Sequence, residues 1–147
     1  MKIVHLIVGL ASIGCVGTAA LWGIWAWYRS PQTRLFWWLL RVGQGATLLE
    51  VILGGIYELG PHKASELHLI YGLIPLAVSF VAEQLRIASA QMVLDGRGFE
   101  SAAEVGKLEP AEQRVVVLSI VHRELGVMVL AAIVMTVLLA RAAATGG

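Results

Sequence analysis

Four long runs of apolar residues, separated by short polar breaks, organise the chain. A helix rises about 1.5 Å per residue, so roughly 20 apolar residues cross a ~30 Å hydrocarbon layer. The first run covers about 3–28 and ends at Arg29, Ser30 and Pro31, a turn through which a helix does not easily continue. The second spans about 35–57, opens with Phe36, Trp37 and Trp38, and stops near Gly60 and Pro61. The third spans about 65–86, with Ser65 as a candidate N-cap and Pro75 as a candidate kink. A polar connection, 87–112, precedes the fourth run at about 114–140, which closes on Arg141 and a tail of small residues. Short links between successive runs imply antiparallel neighbours. The pattern therefore predicts an all-α integral membrane protein: one domain over 1–147, built as an up-down four-helix bundle with the first and third helices parallel and facing diagonally.

Composition strengthens this picture, with 58% of the 147 residues hydrophobic and 14% charged. A net charge of +1, with scattered basic residues, excludes a strongly basic nucleic-acid binder. The lone Cys15 sits in an apolar run and reads as a small buried hydrophobe. The first run is about twice the length of a signal-peptide core and ends in Trp22, Trp25 and Trp27, which predicts a mature helix. Basic residues set the orientation, because Lys and Arg stay on the cytoplasmic side. Arg29, Arg34, Arg86, Arg97, Lys107 and Arg114 fall on one side; only Lys2, Lys63 and Arg141 fall on the other. Both termini are expected outside the cytoplasm of a cell-membrane, multi-pass protein. The expected partners are the lipid bilayer and either further membrane subunits or copies of the same chain, and glycines 9, 14, 17, 43 and 45 are candidate surfaces for helix association.

Ionisable groups are costly inside a membrane, so those within the runs are candidates for function. They include His5, Arg41, Glu50, His68, Glu83, His122, Arg123 and Glu124. Three histidines share a pattern in which glycine follows four residues later: His5 with Gly9, His68 with Gly72, and His122 with Gly126. Positions four apart lie on one helix face, so each imidazole has a side-chain-free patch one turn away. A flat macrocycle ligated by the imidazole needs such a patch. His5 and His68 both lie near the outer ends of their helices, on the expected diagonal. Glu50 falls within about a turn of the same layer, where Gly54 and Gly55 thin the backbone. His62, in the short outer loop, is expected to be solvated. His122, Arg123 and Glu124 form a second cluster toward the cytoplasm with Glu83, Arg86 and Arg41, a candidate site for a second cofactor or a quinone headgroup.

A histidine opening one helix, then Glu50-Val51-Ile52-Leu53-Gly54-Gly55 ending the next, then His68-Leu69 opening the third, resembles one half of heme A synthase and related membrane heme proteins over about residues 5–72. The resemblance implies a heme held between two histidines that map onto His5 and His68. His122-Arg123 followed by Gly126 is similar to that family's His-Arg helix opening, on a helix of opposite direction. Lys2 stands where the family's catalytic half has a glutamate, and Glu50 replaces a glutamine. The chain has half the family's length and lacks an outer-loop cysteine pair, which favours heme binding over heme A formation.

The leading expectation is a b-type-cytochrome-like electron-transfer subunit of a respiratory chain rather than a stand-alone enzyme. His5 and His68 are the iron ligands, with His122 as the alternative. Gly9, Gly72, Glu50, Gly54 and Tyr71 line the heme, whose potential Glu50 and Tyr71 would tune. The competing expectation is a cofactor-free accessory or assembly subunit of a larger membrane complex. A proton path through Glu50 and Glu83 is a weaker third, since no continuous polar stripe links them.

Overall fold

A computed structural model of the chain describes residues 2–29, 33–60 and 63–146 and, among them, contains helices and no strand. The elements are α1 (Lys2–Arg29), α2 (Arg34–Glu58), α3 (Glu66–Asp95), the single-turn α4 (Ala102–Val105) and α5 (Pro110–Thr145). All but α4 are long and apolar enough to cross a membrane. The expected turn at Ser30 and Pro31, and the loop residues Pro61 and His62, lie outside the described residues.

The first two helices fall where hydropathy places them, and Ser65 caps the third by accepting a 3.2 Å hydrogen bond from the His68 amide. The third continues past Arg86 to Asp95, into the stretch expected to be loop. Its extra turns are rich in Ala, Gln, Met and Leu, all good helix formers, and they bury Ser89 and Leu94. The helix stops at Gly96-Arg97-Gly98, where Gly98 takes a φ of +77°, a conformation that L side chains resist. α5 likewise starts earlier than expected, at Pro110, because a proline in the first turn gives up no intrahelical hydrogen bond.

At about 1.5 Å per residue, α3 and α5 reach about 45 and 54 Å, well beyond a ~30 Å hydrocarbon layer. Their surplus turns project from the end that carries the connection. There Leu94, Val105 and Val116 bury one another, with Phe99, Leu108 and Ile120 packed against them. The polar connection thus has a small core of its own.

α1 lies along α2 and α5, and α3 lies along α5; the contact of α2 with α3 is much thinner. Val16, Ala19, Phe36, Leu40, Met128, Ala132 and Met135 are fully buried in the main core. Missing side chains permit close helix approach: a Cβ on Gly43 would stand 2.5 Å from Val16 Cγ2, and one on Gly23 equally close to Val129 Cγ2. Gly14 and Gly45 have open space instead. Outward faces are apolar, with Ile3 73% and Phe80 68% exposed. Such surface is unfavourable in water and suits contact with lipid chains.

Candidate functional site: a polar cluster where four helices meet

His5, Gly9 and Ser12 stand at i, i+4 and i+7 of α1, so they share one face; Thr47, Glu50 and Gly54, at i, i+3 and i+7, share one on α2. Where the faces meet, His5 Nδ1 lies 3.1 Å from Glu50 Oε1, without the alignment of a hydrogen bond. Gly9 makes this pairing possible, while Gly54 leaves only ordinary contact space beside it. A Cβ on Gly9 would lie 2.8 Å from Glu50 Oε1, and one on Gly54 would lie 3.5 Å from His5 Cε1.

The first turn of α3 contributes His68, whose ring centre is 5.8 Å from that of His5 at an interplanar angle of 66°. The last turns of α5 complete the cluster. His68 Nδ1 is 2.9 Å from the Ala142 carbonyl oxygen, and Ser65 Oγ donates to the Thr145 carbonyl at 3.0 Å. A Cβ on Gly146 would fall 2.8 Å from both Cε1 and Nδ1 of His68.

These contacts constrain the chemistry. A carbonyl only accepts, so His68 Nδ1 donates to it, which leaves Nε2 as the nitrogen facing away from that bond. An Nδ1–H held by a carbonyl is the usual support for an imidazole that ligates a metal through Nε2. Among the described residues no three His, Cys, Asp or Glu side chains gather to hold a bare metal ion. A heme would need fewer protein ligands than a bare ion, and His5 and His68 are the imidazoles here that could hold it. The two rings stand 5.8 Å apart at their centres, close enough for both imidazoles to serve one ligand. Buried polar atoms also lack partners here: Glu50 Oε2 and Ser12 Oγ have none among the described residues.

The other expected lining residues separate. The patch at Gly72 is open, with nothing within 4 Å of a Cβ there, whereas that at Gly9 is taken by Glu50. Tyr71 lies beneath Arg141, whose guanidinium carbon is 5.6 Å from its ring centre. His122 is exposed on α5 and stacks on Trp27 at 5.3 Å. Trp27 is about 33 Å along α1 from His5, so His122 belongs to the opposite end of the molecule.

The second expected cluster forms, but without His122 and Arg123. Arg41 pairs with Glu83 through Nη1, and Arg86 Nε donates to the same carboxylate at 3.1 Å. Arg86 also approaches Glu124 at 3.5 Å. Gln44 accepts from Arg41 at 2.7 Å and donates to Ser79 at 2.8 Å. Both guanidiniums lie over Trp37, at 5.6 and 5.5 Å from the ring centre. Two cations and two anions balance here, tying α2, α3 and α5 together.

Ala142, Gly146 and Ser12 join the site without having stood out in the sequence. The small-residue tail hinted at close packing, but a carbonyl acceptor leaves no mark on residue identity, and a buried serine resembles any other helix serine. Comparison with family models, with curated proteins and with solved structures finds no match to this chain.

Proposed function

We propose that the chain is a multi-pass membrane protein, an up-down four-helix bundle with both ends outside the cytoplasm, that holds a b-type heme between His5 and His68 and passes electrons through it. One observation carries this reading: imidazoles from α1 and α3 meet at 5.8 Å, with His68 Nδ1 committed to the Ala142 carbonyl. The space between facing helices is where bundles place cofactors. His5 and His68 would hold the iron through their imidazoles, and a heme held that way would supply one-electron chemistry. Ala142 orients His68 through the Nδ1–H bond. Glu50, when ionised, sets negative charge beside His5 and favours the oxidised state. The test is an absorption spectrum of the purified, reduced protein after expression with ample heme. Soret and α bands are expected, and His5→Ala or His68→Ala removes most of them. A wild-type protein without those bands overturns the proposal.

A cofactor-free accessory or assembly subunit is the second reading. It is favoured by the fact that Glu50, His5 and His68 themselves fill the spaces beside Gly9, Gly54 and Gly146. It predicts that both alanine variants leave assembly of the host complex intact.

A further inference from the structure

Ser119, His122, Arg123 and Gly126 stand at i, i+3, i+4 and i+7 of α5 and form a single stripe. With Trp27 of α1 and Val93 of α3 they line an open groove at the end of the molecule away from His5. The Trp27 indole rests over Gly126, where a Cβ would be 3.4 Å from Nε1, and stacks on His122. Arg97 closes one side by donating from Nη2 to Ser119 Oγ at 3.0 Å.

The charge of this groove is one-sided. Among the described residues no carboxylate lines it. Of the flanking acids, Glu124 faces Arg86 at 3.5 Å and Asp95 accepts from Gln91 at 2.7 Å. Arg123 is exposed and has neither an ion-pair nor a hydrogen-bond partner among the described residues. Two guanidiniums, a hydroxyl and an imidazole therefore converge without an internal anion to neutralise them.

We infer that this groove binds the headgroup of an anionic phospholipid. The phosphate sits between Arg123 and Arg97, near the Ser119 hydroxyl, and the acyl chains run along Val93, Val127 and the Trp27 ring. Guanidinium groups suit phosphate oxygens, tryptophan settles at the membrane interface, and basic pockets between membrane helices collect acidic headgroups on the Lys/Arg-rich side. The inference rests on the membrane-spanning reading and is independent of any heme at His5 and His68.

The test titrates the full chain in detergent with phosphatidylglycerol, phosphatidylcholine and inorganic phosphate, following thermal unfolding and native mass spectra. Phosphatidylglycerol is expected to bind and raise the melting temperature, whereas the other two have little effect. One basic contact near the surface is worth about fivefold in affinity and two about 25-fold. Arg123→Ala should thus weaken binding about fivefold and the double variant Arg97→Ala/Arg123→Ala about 25-fold, with Arg123→Lys recovering most of the single loss. Lys107→Ala removes a charge from the same side but not from the groove, and should leave binding within about twofold. Native mass spectra read bound lipid directly, so a variant of lower stability still gives an answer. Equal losses in Lys107→Ala and Arg123→Ala, or equal binding of phosphatidylcholine, overturn the site. Protection by inorganic phosphate alone overturns the lipid assignment.

Discussion

At the scale of single residues, the two histidines of the polar cluster differ in how firmly they are held. His68 is fixed by a backbone carbonyl, which substitution of side chains cannot easily remove, whereas His5 faces a carboxylate at 3.1 Å that a single change can delete. Since His122 stacks on Trp27 at the far end of α1, His122→Ala should leave any heme absorbance at wild-type intensity. Loss of the bands in that variant, with His5→Ala unaffected, would place the iron between α3 and α5 instead. Gly146 is the more sensitive neighbour of His68. A methyl there meets ring atoms at 2.8 Å, and this ring is already pinned through Nδ1. Gly146→Ala is expected to cost about 1–3 kcal/mol, the range for overpacking, in reversible detergent unfolding. A cost below a few tenths of that would show that the last turn of α5 yields freely.

At the scale of elements, small residues decide how closely the helices approach. Gly23→Ala drives a Cβ against Val129 and Phe36, so it should destabilise by about 1–3 kcal/mol. Gly14→Ala enters open space and should be neutral or stabilising by up to about 1 kcal/mol, the helix-propensity difference. Parallel unfolding curves compare the two, and equal effects would contradict the packing described. The apolar helices were legible in the sequence because a nearly uncharged run of hydrocarbon length is rarely found in a chain that stays in water. The pairing of His5, Glu50 and His68 was legible too, since ionisable residues are rare in such runs. The extension of α3 was hidden, because Arg86 and Asp95 bracket a segment whose helical state depends on packing Leu94 against Val116 and Val105. Direction around a helix was also hidden: His122 and Arg123 neighbour Glu124 in sequence, yet Glu124 turns to Arg86 while His122 turns to Trp27.

At the scale of the whole molecule, the pairing layer around Glu83 links helices whose direct packing is thin. Removing that carboxylate takes away the acceptor that Arg41 and Arg86 share, leaving Arg41 with Gln44 and Arg86 with Glu124. Glu83→Ala should therefore lower stability by about 1.5–3 kcal/mol, the worth of a charge-assisted hydrogen bond. Arg41→Ala should cost less, because its side chain is 46% exposed; the reverse order in unfolding curves would reject this account. Orientation is open to labelling in a Cys15→Ser background. An impermeant maleimide should reach Lys63→Cys from outside intact cells, and Ser101→Cys, exposed in the connection, only after the membrane is opened. The docking of α5 on His68 also has a meaning in time. Ala142 lies in the last of the four long helices to leave the ribosome and Gly146 directly follows it, so a nascent chain shorter than this holds His5, Glu50 and His68 with one ring unanchored. The polar end can close only once α5 has been made, and a ribosome stalled before Ala142 would leave an unfinished polar cluster facing the membrane.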